Sequence, residues 1–361
     1  MDAADRLSRT PSRSAARRPR AVLRGVDGYR RGALRFDVRD SGPVDGAPVV
    51  VLLHGFPQDA SAYDAVAPLL TRAGVRVLVP NQRGYSPGAR PRGRRAYALP
   101  ELVADVVALL DAAGVERAHV VGHDWGGGVA WALATHRPHR TASLTALGTP
   151  HPGAVRAGLL HGQARRSSYM AWFQVPRLPE RALLAQDSRA LRRALTGADL
   201  EAPLADRYVE RMLVPGALTA ALAWYRALPL SRGAAGWVRV PTTYVSADRD
   251  PFFAPASVAA TARFVDAPLT RWRWTRTTGC RSTGPPTWPT RCWAGCTRDP
   301  PAGGGGRGSR RRDGRRGPAP RVPVVRPPAS PSRAGRCPAA PVPEAGVTTP
   351  RRRVPTPRVR G

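Results

Sequence analysis

Gly122-His123-Asp124-Trp125-Gly126 is the stretch on which the fold turns. It follows a short apolar run at residues 119–122 and precedes a segment of helical periodicity at 127–136. A Gly-x-acid-x-Gly turn between a strand and a helix reads as a nucleophile elbow, because small residues permit a strained turn that lifts the central side chain above the C-terminal edge of a sheet. Here that side chain is a carboxylate. The helix N-terminus behind it favours negative charge, so Asp124 is expected to be ionised and nucleophilic at neutral pH. The bland alternative is an Asp that caps a helix. Strand, turn, helix and both glycines together favour the elbow.

Outward from the elbow, residues 27–268 look globular. Apolar runs at 49–53, 75–79, 119–122, 144–148 and 242–246 read as strands, and 99–113 and 127–136 read as helices. Such alternation implies an α/β fold with a mostly parallel sheet flanked by helices. Residues 152–237 are rich in Leu, Ala and Arg, lack strand-like runs and read as a helical insertion. The expected organisation is a basic arm without a core (1–26), the first part of the α/β core (27–151), a helical cap (152–237), the second part of the core (238–268) and a disordered Arg/Pro/Gly-rich tail (269–361).

The chain has 361 residues and a formal charge of +32. Residues 269–361 hold 21 Arg against 3 acids, which is more than half of that excess. The chain has no Lys and no Ile, and Asn81 is its only Asn. Those gaps mark a GC-rich coding bias, so the basic balance is weak support for a nucleic-acid partner. No run of 18 apolar residues marks a membrane span and the start lacks the apolar core of a secretory signal, which makes the cytoplasm the expected location. Cys280, Cys292, Cys296 and Cys337 follow no zinc spacing and are given no metal or disulfide role.

A second signal, His54-Gly55-Phe56-Pro57, follows the run 49–53. A backbone N–H there can complete an oxyanion hole with the N–H after the nucleophile, which nominates Phe56 and Trp125 as donors. Together with the Asn81-Gln82-Arg83-Gly84-Tyr85-Ser86 loop and the elbow, this set resembles the α/β-hydrolase superfamily in its epoxide hydrolase and haloalkane dehalogenase branch, over about residues 28–268. A carboxylate nucleophile makes chemical sense there: attack on a saturated carbon leaves an ester that water can cleave, whereas a Ser would leave an inert ether.

The resemblance implies an α/β-hydrolase fold with a cap, an apolar epoxide and water as reactants, and no metal or organic cofactor. It also implies a pocket bounded by His54, Pro57, Trp125 and Trp224. Ser168-Tyr169-Met170-Ala171-Trp172 and Ala223-Trp224-Tyr225-Arg226 resemble the cap segments from which epoxide hydrolases project two tyrosines, so Tyr169 and Tyr225 are the expected hydrogen-bond donors to the opening epoxide oxygen. On an apolar cap helix the same rings also serve as plain core. The triad acid should follow the run 242–246; the motif favours Asp250, with Asp248 as the fallback. The alternatives are a haloalkane dehalogenase, and an inactive relative or a binder acting through its basic tail. The sequence sets no oligomeric state.

The expected base is missing. The seven His are 54, 119, 123, 136, 139, 151 and 161, all before the acid, whereas in this fold the base follows it. A shift of reading frame near Pro268 accounts for this. If each true codon is the last base of one codon plus the first two of the next, every Trp and Cys becomes Leu, Met or Val. Apolar positions then return at 272 and 274 with the period of a strand, and at 288, 292, 293 and 296 on one helix face. The Thr277-Thr278 junction becomes His or Asp.

Overall fold

The computed structural model describes residues 25–198, 200–231 and 236–274. Its centre is the run Val49–Leu53, which forms strand β3. Val51 and Leu53 face one hydrophobic cluster while Val50 and Leu52 face another. A strand covered on both faces has no polar alternation, which is why it reads as an unbroken apolar run.

Eight strands form one sheet: β1 (Gly28–Arg31), β2 (Leu34–Ser41), β3, β4 (Arg76–Pro80), β5 (Ala118–His123), β6 (Thr141–Leu147), β7 (Thr242–Ala247) and β8 (Leu269–Trp274). Their spatial order is β1-β2-β4-β3-β5-β6-β7-β8. The β1–β2 and β2–β4 pairs are antiparallel and all the others parallel. Parallel neighbours need crossovers, and helices supply them: α1 (Ala67–Arg72), α2 (Leu99–Ala112) and α3 (Trp125–His136). Leu70 of α1 packs with Val50 and Leu52 on one face, whereas Leu109 of α2 and Leu133 of α3 pack on the other. β4 and β5 lie on opposite sides of β3, so the chain reverses direction across the sheet at this point, where α/β folds open a crevice at the strand C-termini.

Between β6 and β7 the chain forms α4 (Pro152–Ala157), α5 (Gln163–Arg166), α6 (Ser168–Trp172), α7 (Leu178–Gly197), α8 (Ala202–Leu213) and α9 (Ala217–Arg226), with no strand among the described residues. α10 (Pro255–Ala260) follows β7. α7 is not one straight helix. Gln186, Asp187 and Ser188 adopt left-handed backbone angles in succession, and the axis breaks there.

The structure departs from the sequence reading at several places. β6 starts three residues earlier than expected, and α3 begins directly after Asp124 rather than at Gly127. β1 and β2 contain no apolar run. Their alternation is visible in Phe36 and Val38, which are buried between exposed Arg35, Asp37 and Arg39, but Arg-rich composition hides it. The expected end of the core at residue 268 is corrected. Leu269–Trp274 is a strand, not part of a disordered tail, because its backbone matches the free edge of β7 over six residues. Its side chains fit less well, and four of the six, including Trp272, are exposed. The arm at 1–24, all four Cys and the Thr277-Thr278 junction lie outside the described residues. Among the described residues no helix is long and apolar enough to cross a membrane.

Candidate active site

The elbow is built by close backbone approach. Asp124 sits at φ 51°, ψ −121°, a conformation that L residues rarely adopt. The turn closes so tightly that a Cβ on Gly122 would overlap the Gly126 carbonyl, and one on Gly126 would overlap the Leu53 carbonyl. The Thr149 hydroxyl donates to the Asp124 carbonyl at 2.8 Å and ties the turn to the end of β6. Asp124 precedes α3 without capping it through its side chain. The carboxylate instead turns towards the loop after β3, where Phe56 N–H donates to Oδ1 at 2.8 Å. Trp125 N–H is the first of α3 and has no acceptor within the helix. The structure therefore brings Asp124 and one of the two nominated donors into direct contact.

His54 is fully buried rather than a pocket wall. Its Nε2 accepts from Gln82 N–H at 3.2 Å, and Nδ1 lies 3.1 Å from the Gly55 carbonyl, as a neutral ring requires. Burial pushes its pKa down to about 4. The Asn81–Ser86 motif is bracing too: Asn81 Oδ1 accepts from Ala60 N–H, and Arg83 pairs with buried Asp105 at 2.6 Å.

Above Asp124 lies a cavity of about 400 Å³. Pro57, Phe56, Asp124, Tyr169 and Tyr225 border it; His54, Trp125 and Trp224 do not. Trp224 is spent on structure, its Nε1–H donating to the Arg83 carbonyl at 2.8 Å. Trp125 packs edge-on against Tyr225, with ring centroids 5.0 Å apart. The two tyrosines stand 6.1 Å apart between centroids, on α6 and α9. Burial, reinforced by the nearby Asp124 charge, raises both phenols well above the usual range, so both are protonated.

Sequence reasoning missed most of the remaining wall: Gln58, His123, Phe173, Leu183, Leu191 and Phe252. His123 Nδ1 lies 3.1 Å from Gln58 Oε1, a further polar group in the lining beside Asp124, Thr149 and the two tyrosines. Leu183 and Leu191 belong to the two arms of broken α7, and no local motif marks such a bend.

Of the two candidate acids, Asp248 is bound to Arg273 on β8. Asp250 is buried, with Oδ1 accepting from Phe252 N–H at 2.7 Å and Phe253 N–H at 3.0 Å. Its Oδ2 is buried without a hydrogen-bond partner. Desolvation raises the Asp250 pKa from 3.8 to about 6; the two backbone hydrogen bonds oppose that rise and the Asp124 charge adds to it. In the folded chain Asp250 therefore holds its proton more tightly than in the unfolded chain. Stability falls as pH rises through the window from about 4 to 6. Asp250→Asn should be more stable than the parent above pH 6, by up to about 3 kcal/mol, and should lose that gain below pH 4. Urea unfolding at pH 4 and pH 7.5 measures it; equal differences at the two pH values would contradict the assignment.

The chain matches the α/β hydrolase fold family over residues 48–272. It is 41% identical over 197 residues to the AB hydrolase superfamily protein YfhM of Bacillus subtilis, covering 53% of this chain and 68% of that protein. It is also 41% identical over 177 residues to epoxide hydrolase A of Mycobacterium tuberculosis, covering 47% of this chain and 54% of the relative, so it spans about half of that enzyme's length. The crystal structure of epoxide hydrolase A from Mycobacterium thermoresistibile superposes with a TM-score of 0.64 at 24% identity, over 74% of this chain and 96% of that one, a likeness of fold. The elbow after β5, the loop after β3 and this family match lead to one assignment: the chain belongs to the α/β hydrolase superfamily, is a hydrolase by family, and is similar within it to the epoxide hydrolases.

Proposed function

We propose that this chain is built to open apolar epoxides through a covalent ester on Asp124. The observation that carries the reading is the cavity in which the Asp124 carboxylate faces two protonated phenols, half-buried Tyr169 and buried Tyr225, among apolar walls. Asp124 attacks one epoxide carbon and the C–O bond breaks. The oxygen leaves as an alkoxide that takes hydrogen bonds and a proton from the phenols. Phe56 N–H already holds Oδ1, the oxygen that would carry charge when water later attacks the ester carbonyl. Epoxide exposure should add one substrate mass to the peptide containing Asp124, and Asp124→Asn should abolish the addition. An adduct on any other residue would sink the proposal.

The second step calls for a base held by Asp250. No His follows His161 in this sequence. The frame-shift reading accounts for this, and the exposed side chains of β8, where that reading places different residues, support it. The offset frame should stay open from near codon 268 to at least codon 296 and should encode His at the Thr277-Thr278 junction. Sequencing the gene decides: a stop inside that window, or Asp at the junction, ends the argument.

A further inference from the structure

The loop that carries Asp250 is held by two side chains of the helical insertion, Gln163 and Arg166. Gln163, at the start of α5, is fully buried, and its amide is saturated. Nε2 donates to the Phe252 carbonyl at 2.9 Å and to Ser167 Oγ at 2.8 Å. Oε1 accepts from Ala254 N–H at 2.8 Å and from the Ser257 hydroxyl at 3.0 Å. An amide offers two donors and two acceptor lone pairs, so these four bonds exhaust it. Three of the four reach residues 252–257. Arg166, at the other end of α5, donates to the Asp250 carbonyl at 2.9 Å and the Pro251 carbonyl at 3.0 Å. Around Asp250 these two side chains supply partners to backbone groups that no strand or helix pairs, among them the buried Ala254 N–H.

We propose that Gln163 is a positioning residue: it fixes the loop at 250–254 and the first turn of α10 so that the Phe252 and Phe253 N–H groups hold the Asp250 carboxylate while the two rings wall the cavity. A role for Asp250 in the reaction rests on the function proposed above; the clamp itself does not. The alternative is that Gln163 only stabilises the fold, which would leave the ionisation of Asp250 unchanged.

That ionisation is the readout. Asp124 at the elbow and Arg166 on α5 act on Asp250, and Tyr169 on α6 and Tyr244 on β7 feel its charge; none of them is altered by the variants below. In the full chain with carbon-13 Asp carboxylates, the Asp250 signal is assigned by its loss in Asp250→Asn. Gln163→Met keeps much of the volume and removes all four bonds. The loop then admits water, and the Asp250 midpoint should fall from about 6 by about one pH unit or more. Ser167→Ala deletes only the bond inside the insertion and should leave the midpoint in place. Gln163→Glu keeps the acceptor for Ala254 and Ser257 and adds a nearby carboxylate, so the midpoint should stay or rise. A folded Gln163→Met chain with the parent midpoint overturns the proposal, as does an equal fall in Ser167→Ala. Should Gln163→Met not fold, a fall in Gln163→Glu overturns it. Ester formation at Asp124, read by mass in the same samples, tests the proposed function separately.

Discussion

The chain as it stands, mixed with an excess of an apolar epoxide, should consume about one equivalent per site and then stop, with the ester persisting and no sustained release of diol. The first step needs only groups that the structure places together: the Asp124 carboxylate and the two phenols around one cavity. The second step needs water to lose a proton as it attacks the ester carbonyl. Asp250 cannot supply a base by itself, because its Oδ1 is committed to Phe252 and Phe253 and its Oδ2 is buried. Loss of one member of a catalytic set typically costs about 10⁴-fold or more. A chain restored in the offset frame should therefore recover turnover by at least that factor. Intact-mass spectrometry with product analysis measures both halves. Steady multiple turnover by the present chain would show that another residue serves as base, and His123 beside Gln58 would be the first to replace.

Replacing Tyr169 and Tyr225 together by Phe should slow ester formation by about 10²- to 10⁴-fold, the usual contribution of general acids, while each single variant keeps one donor and loses less. Burial and the Asp124 charge hold both phenols in the protonated form well past pH 10. The ester-forming step should therefore show no alkaline decline below that pH. The double variant should also retain the fold, since Phe preserves the edge-on packing of these rings against Phe173 at 5.5 and 4.9 Å. Full epoxide reactivity in the double variant, or halide release from chloroalkanes as the dominant reaction, would favour a dehalogenase.

The sheet was legible in the sequence where strands are buried on both faces, because Val49–Leu53 is apolar at every position and its neighbour β4 is apolar after Arg76. It was hidden at the antiparallel edge, where the outward positions of β2 are Arg and Asp in a chain rich in Arg. The site was legible wherever a motif fixes the backbone, as at Asp124 and Phe56. It was misread where a motif residue braces instead of lining: His54 is spent on Gln82, and Trp224 on the Arg83 carbonyl. The aliphatic wall was beyond reach. Leu183 and Leu191 converge only because α7 breaks at Gln186–Ser188, and those three residues include neither Gly nor Pro to announce it. Gln163 carries no pattern either, since its four partners come together only in the folded chain.

The elbow described above separates two kinds of cost. The geometry of the turn is secured by Gly122 and Gly126, whose missing side chains leave room for backbone on backbone, and by Gly55, where a Cβ would run into the Asp124 side chain. The central side chain takes no part in the backbone closure at Gly122 and Gly126 and needs only the gap that Gly55 leaves beside it. The scaffold therefore presents one position, already aimed and already flanked by an N–H donor, whose occupant can change without rebuilding its support. With a hydroxyl there, the same turn would suit acyl esters and leave epoxides bound as dead ethers; with a carboxylate, it suits attack on saturated carbon. In such a fold the choice between acyl and saturated carbon can turn on a single residue, and divergence between reactions can run ahead of any divergence in shape.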